Sequence, residues 1–154
     1  MKKLAIVLLA TSLVFGASAC GKSTTEKEKE NTVKNEETSN EYMTYMEEHH
    51  NNVTEALESV KETIKEDAKN ADFKTELKEE KEELQAIHKH FEDYKNVPEA
   101  KKDVHTEYVS ALKMGIEAID LAEANDLTGA RKKIDEAITK NHESISKYDL
   151  KATK

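Results

Sequence analysis

From Glu41 to about residue 150 the apolar residues recur at spacings of three and four, the period of a helix face. No stretch alternates with the period of two that a half-buried strand requires. The first helix is expected over about Glu41–Lys69, on the stripe Tyr42, Met46, His49, Val53, Leu57, Val60, Ile64, Ala68. Its acids gather early and its lysines late, which suits the helix dipole. Asn70-Ala71-Asp72 is the expected break, with Asp72 as N-cap. The second helix, about Phe73–Tyr94, carries Phe73, Leu77, Glu80, Leu84, Ile87, Phe91 and Tyr94, a strict four-three alternation. Glu80 is its single polar member and is expected to snorkel at the flank of the stripe.

Asn96-Val97-Pro98 separates the second helix from the third, since proline fits a first turn and not a helix interior. The third helix, about Pro98–Ala124, is the most apolar. Val104, Tyr108, Ala111, Leu112, Gly115, Ile116, Ala118, Ile119 and Ala122 cover a broad arc, so it should meet neighbours along much of its surface. Gly115 costs about 1 kcal/mol against alanine in a helix interior, which close approach of another helix would justify. Asn125-Asp126 reads as a stop followed by a new N-cap. The fourth helix, about Leu127–Tyr148, carries Ala130, Ile134, Ala137, Ile138, Asn141, Ile145 and Tyr148. Short connections favour antiparallel neighbours. The expected fold is all-α, an antiparallel up-down four-helix bundle in one domain over 41–150, with a three-helix bundle as the alternative and 151–154 as a disordered tail.

Ahead of the bundle the pattern changes twice. Met1-Lys2-Lys3 is a basic start, Leu4–Phe15 is an uncharged apolar run, and Gly16-Ala17-Ser18-Ala19 supplies small residues. This is the layout of a cleaved secretory signal, and it is shorter than the ~20 residues a membrane-spanning helix needs. Ala17-Ser18-Ala19 fits ordinary signal peptidase, which would release a soluble chain beginning at Cys20. The same residues, ending in Cys20 and followed by Gly21, resemble the lipobox of bacterial lipoproteins. The resemblance implies a diacylglycerol on Cys20 and cleavage after Ala19. One position departs from the family pattern: Ala17 stands where leucine is usual. Cys20 is the only cysteine of the chain, so no internal disulfide is available, and a lone thiol at the cleavage point is better explained as a lipid attachment site than as a stray reactive group. Lys22–Asn40 contains one apolar residue, Val33, and is expected to be a disordered polar tether, 20–40 with the lipidated cysteine. The plan of signal, cysteine, tether and helical domain is similar to the small helical-bundle lipoproteins of Gram-positive bacteria. It implies a place at the outer face of the cytoplasmic membrane, held there by lipid.

The chain carries a formal charge of −8, and with Lys2 and Lys3 in the signal the remainder carries −10. Such a surface is wrong for nucleic acid, whose binding depends on neutralising phosphate, and anionic lipid headgroups repel it. Arg131 is the only arginine and there is no tryptophan, so the usual clamp for phosphate and the strongest interface anchors are scarce. No Gly-x-Ser-x-Gly, P-loop or His-Glu-x-x-His pattern occurs. No catalytic residue, cofactor or enzymatic activity is therefore expected.

The histidines are the remaining candidates for chemistry. His49 and His50 lie near the start of the first helix, His88 and His90 near the end of the second, His105 near the start of the third and His142 near the end of the fourth. An antiparallel bundle brings all of them toward one end, roughly 7–12 Å in at 1.5 Å per residue. Facing imidazoles are how bundles build metal sites, so His49, His50, His88, His105 and His142 are candidate ligands, though no ligand set is assigned. Only Glu47-x-x-His50 matches the pattern of di-iron bundles, which need two such pairs. Met43, Met46 and His50 share one side of the first helix; thioether with imidazole would suit Cu(I), but a Met and Tyr stripe there more simply makes core or an adaptable partner surface. The expected function is a non-catalytic, lipid-anchored surface bundle that binds another envelope protein or an incoming factor such as a phage component. The alternative is an envelope metal-binding or pH-sensing bundle using its histidine-rich end.

Overall fold

The computed structural model describes residues 24–65 and 72–148, with side chains from residue 38 onward. The signal, Ala19, Cys20, the Asn70-Ala71 break and the tail 151–154 lie outside the described residues. Four α-helices make up the fold: α1 Thr24–Lys65, α2 Phe73–Glu92, α3 Lys102–Glu123 and α4 Leu127–Tyr148. A single 3-10 turn, Glu99–Lys101, leads into α3 behind Pro98. The described residues contain no strand. Each helix packs on its two neighbours in the order α1, α2, α3, α4 and back to α1, and α1 also meets α3 across the bundle. The Tyr42–His49 segment of α1, where it enters the core, lies beside the end of α2, the start of α3 and the end of α4, so neighbours run antiparallel. The architecture is the four-helix bundle, not its three-helix alternative.

The core is built from the expected stripes. Val53, Leu57, Val60 and Ile64 of α1, Leu77 and Leu84 of α2, Leu112 and Ile119 of α3 and Ile134 of α4 are buried. Gly115 stands where three helices converge on α3. A β-carbon there would lie 2.5 Å from Leu57 Cδ2, 3.1 Å from Leu84 Cδ1 and 4.0 Å from Ile134 Cδ1. The missing side chain thus makes room for α1 and α2, while α4 stands at ordinary contact distance.

The α3–α4 turn closes both helices with its own backbone and one side chain. Asn125 sits at φ 64. Its N–H donates to Ala122 O at 3.0 Å and that of Asp126 to Leu121 O at 2.8 Å, which is the Schellman arrangement that satisfies orphan carbonyls. Asp126 then caps α4, accepting from Gly129 N–H at 2.9 Å. At the start of α2 the expected N-cap Asp72 acts through its carbonyl, which accepts from Thr75 and Glu76 at 2.9 Å.

Polar ties cross the seams between neighbours. Lys81 of α2 bonds Asp120 at 2.7 Å and Glu123 at 2.5 Å on α3. Lys61 of α1 bonds Asp135 of α4 at 2.9 Å, and Lys133 of α4 lies 3.4 Å from Glu117 of α3. Exposed pairs of this kind add less than ~1 kcal/mol each. They set register more than stability. Glu80 departs from the expected snorkel: Ser59 and Thr63 of α1 donate to its Oε1 at 2.7 and 2.9 Å. The polar member of the α2 stripe is therefore a clamp onto α1. Burial pushes its carboxyl above the usual range, against the two hydroxyl donors that pull it down.

One boundary moves far. The 20–40 tether was expected to be disordered, yet α1 is helical from Thr24. Its 42 residues span ~63 Å at 1.5 Å per residue, about twice the reach of α2, α3 or α4. Among the described side chains the first core residue is Tyr42, so eighteen residues of helix, Thr24 to Glu41, precede it. The reason is propagation. Extending a helix from a packed segment adds one hydrogen bond per residue and avoids the costly nucleus, and a run rich in Glu and Lys has high intrinsic propensity. The absence of an apolar face argued only against independent packing.

Candidate functional site

The end of the bundle where α1 enters the core gathers all five tyrosines of the chain, Tyr42, Tyr45, Tyr94, Tyr108 and Tyr148. Tyr42 and Tyr45 come from α1, Tyr108 from α3 and Tyr148 from the last residue of α4; Tyr94 follows α2. Tyr45 stacks on Tyr94 with ring centroids 4.1 Å apart. Tyr42 lies 5.6 Å from Tyr94 and 5.8 Å from Tyr148. Phe91 bridges Tyr45 at 5.3 Å and Tyr108 at 4.9 Å. Offset and edge-on ring pairs of this kind add ~0.5–1.5 kcal/mol each beyond burial, so this end is a rigid aromatic plug.

A directed hydrogen-bond chain runs through the plug. Phe91 O can only accept, so His105 Nε2 carries a proton and donates to it at 3.1 Å. In the neutral ring Nδ1 is then the acceptor, and Tyr42 Oη donates to it at 2.8 Å. The Tyr42 oxygen in turn accepts from Tyr148 Oη at 2.5 Å. The order Tyr148, Tyr42, His105, Phe91 carbonyl thus links α4 to α1, crosses the bundle from α1 to α3, and ends on α2. Burial lowers the His105 pKa, against the raising effect of the Phe91 carbonyl, and favours the neutral ring the chain needs. Burial, then the bond to Tyr148, holds the Tyr42 phenol far above its ordinary value. Burial raises Tyr148 to about 12, against its bond to Tyr42.

The six histidines divide into different environments. His49 of α1 and His90 of α2 face each other with ring centroids 5.0 Å apart; His90 is exposed and His49 half-buried. Burial and the neighbouring His90 lower the His49 pKa. His50 is buried, and its Nδ1 donates to Met46 O and Glu47 O, both at 3.1 Å, leaving Nε2 buried without a partner among the described residues. His88 lies 3.9 Å from Glu92 on its own helix, and His142 is exposed on α4. The expected convergence is therefore partial. His49 pairs with His90, which had not been singled out as a ligand, and His105 joins the tyrosines. His88, His50 and His142 join neither group. Among the described residues no three or more His, Cys, Asp or Glu side chains are placed to hold a metal ion together. Met46 is fully buried and Met43 packs against the core, so the Met stripe is core, and His50 spends its Nδ1 on backbone carbonyls.

A second polar feature joins α1 to α4. Asn141 is fully buried and its Nδ2 donates to Thr54 Oγ1 at 3.0 Å, while its Oδ1 has no partner among the described residues. Tyr45 Oη and Tyr108 Oη are likewise buried and unpartnered there. Two shallow hollows lie outside these features. One is an open groove along α3 and α4 beside Met114, Asp135 and Lys140. The other is a smaller recess between Phe73, Leu77 and Asn125. Among the described residues no helix is long and apolar enough to cross a membrane.

Sequence reasoning grouped the histidines and missed the tyrosines. The signal was present, since Tyr42 and Tyr108 stand near helix starts and Tyr94 and Tyr148 near helix ends. The same argument that gathered the histidines gathers these residues more tightly. No protein-family model, curated protein or solved structure matches the chain.

Proposed function

We propose that the protein is a lipid-anchored, non-catalytic bundle presented at the outer face of the cytoplasmic membrane, where it binds another envelope protein. The observation that carries this reading is α1. It begins four residues after Cys20 and runs without a break into the core, so a lipid on Cys20 would be joined to the domain through a helical stalk. Residues Thr24 to Tyr42 give a reach of ~27 Å. On this reading the tyrosine end faces the membrane and the end that carries Lys65, Phe73 and the α3–α4 turn faces away from it. Anchoring of this kind needs at least two acyl chains, because a single chain binds only marginally. The acidic surface favours stand-off from anionic lipid over lying on it.

Cys20→Ala tests the anchor: the chain should appear in the medium or accumulate unprocessed, and unchanged membrane attachment refutes the reading. Crosslinking in intact envelopes tests the partner. A specific adduct through the outward end is expected, and the absence of any specific adduct counts against a binding role.

The Tyr148–Tyr42–His105 chain favours a second reading, a pH-responsive bundle. Protonated His105 has two donors and no acceptor, so Tyr42 can no longer donate to it and the Tyr42–His105 bond must reverse. A tyrosine-end structure identical by NMR at pH 7.5 and pH 5 removes this reading.

A further inference from the structure

Four of the histidines are spent or isolated: His50 and His105 on backbone carbonyls, His88 near Glu92, and His142 alone on α4. His49 and His90 differ. They come from adjacent helices, their rings meet at 79° with centroids 5.0 Å apart, and neither ring has a hydrogen-bond partner among the described residues. We propose that His49 and His90 form an open two-imidazole site for a borderline divalent cation such as Cu²⁺, Ni²⁺ or Zn²⁺, with water in the remaining positions.

The spacing fits the chemistry. With metal–nitrogen bonds of ~2.0–2.1 Å, two tetrahedrally disposed imidazoles place their ring centroids roughly 5 Å apart. The observed separation is 5.0 Å. The pair is also braced. Tyr45 packs 4.7 Å from His49 and 5.5 Å from His90, and is itself held against Tyr94 at 4.1 Å. Phe91 backs His49 at 6.2 Å and His90 at 6.0 Å. A metal bound by both rings would cross-link α1 to α2 against this aromatic wall. The donors select the ion: imidazole suits Cu, Ni and Zn, whereas Mg²⁺ and Ca²⁺ require oxygen ligands. Burial and His90 both favour the unprotonated His49 ring that a metal needs. A net charge of −8 raises the local concentration of cations. With only two protein ligands the site is exchangeable, and it is independent of how the chain is anchored.

The test is a Cu²⁺ titration of the full chain, followed by the ring C–H proton signals of the six histidines. Paramagnetic broadening should reach His49 and His90 first, below one equivalent, and Zn²⁺ should shift the same two signals. His90→Ala changes an exposed side chain; it should weaken Cu²⁺ binding at least tenfold with the fold intact by circular dichroism. His142→Ala should leave binding unchanged. The proposal is overturned by first broadening at His88 or His142, by unchanged affinity in His90→Ala, or by no binding at micromolar metal.

Discussion

Two buried tyrosines, Tyr42 on α1 and Tyr108 on α3, should respond in opposite ways to the same substitution. Tyr42→Phe removes the donor to His105 Nδ1 and the acceptor of Tyr148 Oη, leaving a buried hydroxyl and a half-buried imidazole nitrogen unpaired. A buried group stripped of its partner costs ~1–3 kcal/mol, so a loss of about 2 kcal/mol in urea unfolding is expected. Tyr108 is as deeply buried, but its hydroxyl has no partner among the described residues. Tyr108→Phe removes that desolvation cost and should be neutral or stabilising by about 1 kcal/mol. Equal losses in the two variants would show that ring packing, not the hydroxyl chain, carries this end. The contrast was hidden in the sequence. Periodicity places Tyr42 and Tyr108 on core stripes, but which phenol meets an imidazole depends on side-chain directions across three helices, and spacing along one helix carries no such information.

Among the helices, α3 has the most neighbours to satisfy, and Gly115 is where it satisfies them. Gly115→Ala gains about 1 kcal/mol of helix propensity but sets a methyl 2.5 Å from Leu57 Cδ2 and 3.1 Å from Leu84 Cδ1. Overpacking a filled core costs ~1–3 kcal/mol. Leu57 is fully buried and has little room to retreat, so the net effect should be a destabilisation of about 1 kcal/mol in thermal or urea unfolding; a more stable variant would mean that the seam at Leu57 is looser than the structure has it. This residue was legible beforehand, because an apolar arc too broad for one neighbour demands close approach at its middle. The Asn125-Asp126 turn was legible too, since it rests on local chemistry. The start of α1 was not. Helix propagation into a polar segment leaves no apolar mark, and the stripe begins only where packing begins.

For the molecule as a whole, acid should weaken the fold before it touches most carboxylates. His105 and His49 have folded pKa values below the unfolded value of ~6.5. The unfolded chain therefore binds more protons, and stability rises with pH across that interval. Their contribution is present above pH ~6.5 and is lost as pH falls through the lowered folded values. Glu80 has the opposite sign: its raised carboxyl costs stability once ionised and returns it on further acidification. The melting temperature should fall from pH 7.5 to pH 5.5, and His105→Gln should flatten that slope; an unchanged slope would place the acid sensitivity elsewhere. The gathering of the tyrosines has one more effect, on what light can report. With no tryptophan in the chain, near-ultraviolet absorption and emission come almost wholly from the five phenols, and all five sit at one pole of the bundle. Ring separations of 4.1 to 6.5 Å make them a single exchanging chromophore set. The protein therefore carries a built-in optical gauge of that pole and is nearly dark at the other, so near-ultraviolet and far-ultraviolet melts should coincide only if the two poles come apart together.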